Sequence, residues 1–264
     1  MLNKLQYKYQ PIVDLHSFKV VRQEALLRTK ITDRIEGLIE TMEENGSIIE
    51  LDLHTLATAV AQLNETPSTP VAIAVNMSAQ SLGCPTFQDK AMSLLRSCNN
   101  AGLISVEITE KSAIQNQLFA SLFVRRLKQQ GCTIGMDDYG DGFSTLALAE
   151  SMKVNYLKLS SKLTTRVLVC EDAQESIREA IRVAGVLGIK IVAEHVDNAE
   201  QFVWLRNEGI AHGQGWLFAK AGELITCPND LTSDLRKRLG VVVNNTPRRG
   251  RCAKHFTESA FGFS

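Results

Sequence analysis

The chain has 264 residues, of which 44% are hydrophobic, and its 29 basic and 29 acidic side chains give a formal net charge of zero. This length suits one large α/β domain with a single core. The balanced charge provides no general attraction to nucleic acid or to a membrane surface, and no nucleic-acid-binding module is recognised. A charged ligand must therefore be bound by a local site.

The six cysteines are scattered, and no two of them form a Cys-x-x-Cys pair. This spacing argues against a zinc site and against a disulfide framework, and it favours a reducing compartment. The N-terminal sequence has no apolar signal region, and no run of about 20 apolar residues predicts a membrane segment. We therefore expect a cytoplasmic protein.

The first elements are two predicted strands, 7–15 and 20–29, joined by a tight turn at His16-Ser17 as an antiparallel hairpin. Two helices are predicted next, at 35–45 and 50–65, because apolar residues recur there at helical spacing.

From residue 71 the sequence repeats a strand-then-helix unit of about 30 residues. The predicted strands span 71–78, 105–110, 133–138, 156–159, 190–196 and 211–218. The predicted helices span 87–98, 117–130, 145–152, 173–187 and 199–208. Alternating strands and helices imply a parallel sheet, and about seven or eight such units imply its closure. We predict an α/β fold, a modified (β/α)8 TIM-type barrel with an antiparallel first strand.

The stretch MDDYGDGFS, residues 136–144, ends one of these strands with two adjacent carboxylates, Asp137 and Asp138. Gly140 and Gly142 then allow a sharp turn. Such a pair more often serves in turns and helix caps than in metal binding. The metal interpretation therefore depends on whether other acidic strand ends converge on the same place.

Polar residues do lie on or at the ends of the other predicted strands. They are Asn76, Glu107, Lys158, Glu194 and Gln214, with Glu24 on the hairpin. Each alone has an ordinary explanation, such as a turn cap or a surface lysine. In a barrel, however, the strand ends meet at one mouth, where crowded carboxylates need a counter-charge. Oxygen ligands of this kind suit Mg²⁺ or Mn²⁺.

These motifs, in this order, resemble the EAL family of cyclic di-GMP phosphodiesterases. The resemblance covers about residues 7–222 and rests on EALLR at 24–28, VNMS around Asn76, EITE at 107–110, MDDYGDGFS, LKL around Lys158, VAEHV around Glu194 and GQGWLF around Gln214. It implies hydrolysis of cyclic di-GMP to linear pGpG with two Mg²⁺ or Mn²⁺ ions. It also implies a homodimer through the barrel, with a regulatory protein as a further partner.

The resemblance assigns roles residue by residue. It implies one metal held by Glu24, Asn76, Glu107 and Asp137, and a second held by Asp137, Asp138 and Glu194. The implied catalytic residues are Lys158 at the attacking water, Glu194, Gln214 and Glu110, which anchors the loop after the two aspartates. The implied substrate-facing residues are Gln10, Leu27, Arg28 and Asp138.

The chain also departs from the family pattern. Asp, Thr, Gly, Glu and Pro are usual at the positions of Ser160, Asp141, His195, Asp197 and Ala221, respectively. The alternative is therefore a weak or inactive relative that acts as a cyclic di-GMP receptor or a protein-binding regulator. A barrel enzyme for another phosphate ester is the third hypothesis, and it requires the motif match to be coincidental.

The C-terminal region differs in composition from the rest. Between Arg236 and Lys254 it carries seven basic residues and no acidic one. We predict a barrel domain over residues 1–226 and a basic tail over 227–264 that is solvated or partly disordered. The alternative for the tail is contact with a partner or an anionic surface.

Overall fold

A computed structural model of the chain describes residues 5–29, 34–66, 71–109, 117–141 and 145–245. Eight strands form a closed barrel in chain order. They are β1 (Leu5–Asp14), β2 (Val20–Thr29), β3 (Ile73–Ser78), β4 (Ile104–Thr109), β5 (Thr133–Tyr139), β6 (Tyr156–Leu159), β7 (Lys190–Ala193) and β8 (His212–Gly213). Strand β1 is antiparallel to both β2 and β8, and the remaining neighbours are parallel. The predicted barrel with an antiparallel first strand is confirmed.

Ten α-helices lie within the described ranges. They are α1 (Ile35–Glu44), α2 (Ile48–Glu65), α3 (Ala79–Gly83), α4 (Pro85–Arg96), α5 (Gln117–Gln129), α6 (Leu146–Ser151), α7 (Ser161–Thr164), α8 (Glu171–Leu187), α9 (Ala199–Asn207) and α10 (Pro228–Asn245). None of these helices combines the length and the apolar character that a membrane crossing requires.

Local sequence signals define several helix ends. Asn198 and Gln201 form a reciprocal capping box at the start of α9. Pro85 occupies the first turn of α4, where its missing N–H costs no hydrogen bond. Helix α8 ends at Gly188, whose φ of 68° is left-handed and favours glycine. These signals explain why most predicted helix boundaries lie close to the observed ones.

The main core lies between the barrel and the surrounding helices, where Leu56, Phe123 and Phe202 are fully buried. Side chains alternate between the two faces of each strand, so every second residue faces the barrel interior. A small separate apolar cluster of Ile12, Tyr156 and Val192 fills part of that interior.

The last strand is much shorter than predicted, since only His212–Gly213 pair as β8 rather than residues 211–218. The chain turns back immediately afterwards: Val196 N donates to Gln214 O, and Leu217 N donates to Val196 O. A Cβ at Gly215 would lie 2.2 Å from Val196 O, so this close backbone approach requires glycine.

The segment after residue 226 begins with helix α10, which packs against β2 and α9. Leu235 and Leu239 on this helix are buried, and Arg238 donates to the carbonyl oxygens of Leu217 and Phe218. The division of the chain at residue 226 stays a prediction, and residues 246–264 lie outside the described ranges.

Candidate metal centre at the barrel mouth

The predicted polar residues converge at the carboxyl ends of the parallel strands. Those brought together there are Glu24, Asn76, Glu107, Asp137, Asp138, Lys158, Glu194 and Gln214. Strand register explains part of this convergence, because Asn76 and Glu107 are direct partners across β3 and β4. Glu194 immediately follows β7, and Gln214 immediately follows β8.

Lys158 lies at the centre of the cluster and is completely buried. Its Nζ is 2.7 Å from Glu194 Oε1 and 3.1 Å from Glu107 Oε2. It is also 3.2 Å from Glu24 Oε2 and 3.3 Å from Asp137 Oδ1. One ammonium therefore contacts four carboxylates, which leaves negative charge in excess.

Two amide side chains orient Glu24. Asn76 Nδ2 donates to Glu24 Oε1 at 3.0 Å, and Gln214 Nε2 donates to Glu24 Oε2 at 2.7 Å. The amide oxygens Asn76 Oδ1 and Gln214 Oε1 are buried and accept no hydrogen bond from any described residue. A buried acceptor without a donor, beside an acidic cluster, is the arrangement that a cation would satisfy.

Two overlapping sets of carboxylates are close enough to share metal ions. In the first set, oxygens of Glu24, Glu107 and Asp137 lie within 4.8 Å of one another, and in the second, those of Asp137, Asp138 and Glu194 do so. Asp137 belongs to both sets. Because all the donors are oxygens, the residues fit Mg²⁺ or Mn²⁺. The identity and number of the ions stay predictions.

The electrostatics follow from burial and close contact. Burial would lower the pKa of Lys158, but the four carboxylates raise it well above its usual value. Burial raises the pKa of Glu107 to about 7, since Lys158 only partly opposes the effects of burial, Glu24 and Asp137. The pKa of Glu24 is lowered, because Lys158 and the two amides outweigh its burial. Protons and metal cations therefore compete for the excess negative charge of the cluster.

The end of β5 presents two successive carboxylates to the same site. Asp138 adopts a left-handed φ of 55°, and its N–H donates to Asp137 Oδ1 at 3.0 Å. This turn breaks the alternation that would otherwise separate neighbouring strand residues. Gly140 follows with a φ of 103°, and a Cβ there would lie 2.6 Å from Leu163 Cδ1. Residues 142–144 lie outside the described ranges.

The residues expected to face the substrate are placed differently from one another. Gln10 reaches the cluster, where its Oε1 accepts from Gln214 Nε2 at 3.3 Å. Arg28 is exposed, and its guanidinium donates to the carbonyl oxygen of Leu27 at 2.7 Å. The Leu27 side chain packs with the apolar cluster that contains Met42, away from the carboxylates.

Glu110 lies outside the described residues, so its role as a loop anchor stays a prediction. Two of the departures from the family pattern have visible local consequences. Ser160 Oγ is buried without a hydrogen-bond partner in the described part of the chain. His195 adopts a left-handed φ of 50°, a conformation that glycine would adopt without strain.

Sequence reasoning missed two residues beneath the carboxylates. Tyr156 Oη donates to Glu107 Oε1 at 2.7 Å, and the Arg22 guanidinium lies 3.9 Å from the centre of the Tyr156 ring. A signal was available, because Tyr156 precedes Lys158 by two residues and Arg22 precedes Glu24 by two. Residues two apart on a strand share a face.

Comparison with known proteins agrees with this geometry. The sequence model of the EAL domain family matches residues 2–221. The chain is 29% identical over 227 residues to the cyclic di-GMP phosphodiesterase PdeR of Escherichia coli, covering 83% of this chain and 34% of PdeR. It is 28% identical to the cyclic di-GMP phosphodiesterase NbdA of Pseudomonas aeruginosa, covering 83% of this chain and 29% of NbdA. The chain thus spans about a third of the length of these curated relatives.

Solved structures show the same fold. The PaMucR phosphodiesterase in complex with c-di-GMP superposes with a TM-score of 0.75 at 24% identity, covering 83% of this chain and 92% of that one. Klebsiella pneumoniae BlrP1, solved with manganese and cyclic di-GMP, has a TM-score of 0.71 at 26% identity, covering 83% and 56%. Because the family model matches most of its length, and because the barrel mouth carries the predicted residues, the chain belongs to the EAL domain family.

Proposed function

We propose that this chain hydrolyses one phosphodiester of cyclic di-GMP to give linear pGpG, with two Mg²⁺ or Mn²⁺ ions. The observation that carries the proposal is the pair of carboxylate sets that share Asp137 around the buried Lys158. The names of PdeR and NbdA support this substrate. In the reaction, a water oxygen bonds to phosphorus as the bond to the ribose 3′ oxygen breaks.

The residues would hold the ions in two groups. Glu24, Asn76, Glu107 and Asp137 would bind one, and Asp137, Asp138 and Glu194 would bind the other. When bound, such ions supply positive charge to the phosphoryl oxygens and lower the pKa of water.

Lys158 has two tasks that do not depend on changing its charge. It holds four carboxylates at fixed distances, and it keeps a permanent positive charge where negative charge develops on the phosphoryl group. Gln214 and Asn76 fix the orientation of Glu24 through their amide N–H groups. Preorganised donors of this kind avoid reorganisation during the reaction.

Product analysis tests the proposal directly. Purified protein is incubated with cyclic di-GMP and Mn²⁺, and the nucleotides are separated by chromatography. We expect pGpG from the wild type, and none from Asp137→Asn or after removal of metal with EDTA. Full hydrolysis by metal-free protein would contradict the metal requirement.

The alternative is a cyclic di-GMP receptor that has lost turnover, and the unpartnered Ser160 hydroxyl next to the mouth is the observation that favours it. Calorimetry separates the two functions. Tight binding of cyclic di-GMP with no pGpG at saturating Mn²⁺ would support the receptor and contradict the enzyme.

We also propose that the chain forms a homodimer through helix α5. Leu118 and Leu122 lie one turn apart on this helix and are 65% and 46% exposed, so they form an apolar strip on its surface. A second copy would bury them. Light scattering should show a dimer for the wild type and a monomer for the Leu118→Glu/Leu122→Glu variant, whereas an unchanged mass would contradict this interface.

A further inference from the structure

The two oxygens of Glu107 have different partners. Oε2 accepts from Lys158 Nζ at 3.1 Å and so faces the acidic cluster. Oε1 accepts from the Tyr156 hydroxyl at 2.7 Å. Both donors come from β6, and all three side chains are at most 1% exposed. One carboxylate oxygen is therefore committed to a neutral donor beneath the site.

A glycine on the intervening strand makes this contact possible. Glu107 pairs with Gly135 across β4 and β5, and Gly135 pairs with Tyr156 across β5 and β6. A Cβ at Gly135 would lie 2.4 Å from two ring carbons of Tyr156. The ring therefore occupies the space above Gly135 and spans the width of one strand to reach Glu107.

Arg22 supports the other side of this arrangement. Its guanidinium lies 3.9 Å from the centre of the Tyr156 ring, within the range of a cation–π contact. Its Nη1 is 3.5 Å from Ser105 Oγ, and its buried Nε has no hydrogen-bond partner within the described ranges. Stacking against Arg22 restricts the ring to the position from which it donates to Glu107.

We propose that Tyr156 is a positioning residue that withholds Glu107 Oε1 from the cation, so that Glu107 binds through Oε2 alone and the site prefers Mg²⁺ or Mn²⁺ over Ca²⁺. Mg²⁺ requires a near-octahedral set of ligands, whereas Ca²⁺ accepts six to eight oxygens and often both oxygens of one carboxylate. Without the hydroxyl, Oε1 is free to become an additional ligand. The inference rests on the metal site of the proposed function, but not on turnover.

The test compares cation binding by Tyr156→Phe and by the wild type, using calorimetry and metal-induced thermal shifts. We expect affinity for Mn²⁺ and Mg²⁺ to fall by about tenfold, because partners of ligating groups commonly contribute that much. Affinity for Ca²⁺ should be unchanged or higher. Tyr7→Phe is the matched control, since its hydroxyl is 2.8 Å from Thr55 Oγ1 and joins β1 to α2 outside the site. The control should bind all three cations as the wild type does.

Unchanged affinities in Tyr156→Phe would overturn the inference, and so would an equal loss for all three cations, since neither outcome is selective. If Tyr156→Phe does not fold, Arg22→Met carries the test, because it keeps the hydroxyl but releases the ring. It should shift the Ca²⁺ to Mg²⁺ preference in the same direction by a smaller factor, and an unshifted preference would count against the proposal.

A wild type that binds metal without hydrolysing cyclic di-GMP contradicts only the proposed function. A wild type that binds no metal contradicts both.

Discussion

Among its described residues, the protein buries carboxylates in two places, and it stabilises them differently. Asp52 on α2 is 6% exposed, and its Oδ2 accepts hydrogen bonds from Ser78 N at 2.8 Å and Ser81 Oγ at 2.7 Å. The cluster at the barrel mouth instead surrounds the ammonium of Lys158. Neutral donors therefore suffice for one buried acid, whereas several need a cation.

This difference distinguishes Asp52, an acid that stabilises the fold, from the acids that form the candidate metal site. The bonds of Asp52 tie α2 to the end of β3, two residues beyond Asn76. At the mouth, in contrast, four carboxylates share one ammonium, and two amide oxygens beside them have no donor among the described residues. A single acid with neutral donors stabilises the fold, whereas a cluster with excess negative charge is suited to bind cations.

Removing the cation at the centre should have the largest effect. Lys158→Met is expected to reduce the single-turnover rate with cyclic di-GMP roughly a thousandfold or more, because positive charge is lost where the transition state is negative. The metal-free variant should also lose roughly 3–5 kcal/mol of unfolding free energy, measured in urea. Lys162→Met is the control, since Lys162 is 71% exposed and pairs only with Asp141 among the described ion pairs. A near-wild-type rate in Lys158→Met would contradict the assigned role.

Removing the shared ligand should separate the two kinds of buried acid. Asp137→Asn is expected to abolish turnover and the stabilisation by Mn²⁺, which for the wild type amounts to about 2.7 kcal/mol at a hundred times the dissociation constant. Asp52→Asn should keep the response to Mn²⁺, because Asp52 belongs to neither carboxylate set. Thermal unfolding with and without Mn²⁺ measures both. Equal stabilisation of the two variants by Mn²⁺ would show that Asp137 and Asp52 do not differ in metal binding.

The pH dependence of stability should report on Asp52. Burial, only partly opposed by the hydrogen bonds from Ser81 and Ser78, raises the pKa of Asp52 from 3.8 to about 6. The folded state therefore binds more protons than the unfolded state between these pH values. As a result, the free energy of unfolding decreases as pH rises from about 4 to 6. Asp52→Asn should remove up to about 3 kcal/mol of that dependence. Urea unfolding of both proteins at pH 4, 5, 6 and 7 gives the difference, and parallel profiles would contradict the assignment.

The smallest expected effect is that of a single hydroxyl. Ser81→Ala removes one donor to Asp52 but leaves the backbone N–H of Ser78 in place. We expect a loss of about 1–2 kcal/mol in unfolding free energy at pH 7, and a smaller loss at pH 4, where Asp52 is protonated. Turnover should not change. A loss of activity without a loss of stability would place Ser81 in the site instead.

The sequence predicted the barrel and most of the mouth because both depend on local patterns. Strand-helix alternation specifies the fold class, and a polar residue at a strand end, such as Asn76 or Asp137, is visible without coordinates. The role of Asp52 was not predictable, since an acid on a helix has the same signature whether it is solvated or bonded to Ser81.

The role of Tyr156 depends on the register of three strands and on the space above Gly135, which no single segment encodes. The length of β8 was overestimated for a similar reason. Its apolar continuation turns back to bond with Val196, a contact between separate loops. Sequence patterns therefore identified the strand-end residues, but not the neighbours that hold them.

The direction of β1 determines at which end of the barrel this strand begins. Leu5 pairs with Thr29 at the carboxyl end of β2, and β1 then runs down to Asp14, beside His212. Leu5 therefore lies at the rim above the carboxylates, and Asp14 lies at the opposite end of the barrel. A fluorescent protein or an affinity tag joined close to Leu5 would stand beside the opening to the carboxylates, and the length of its linker would set how freely a ligand reaches them.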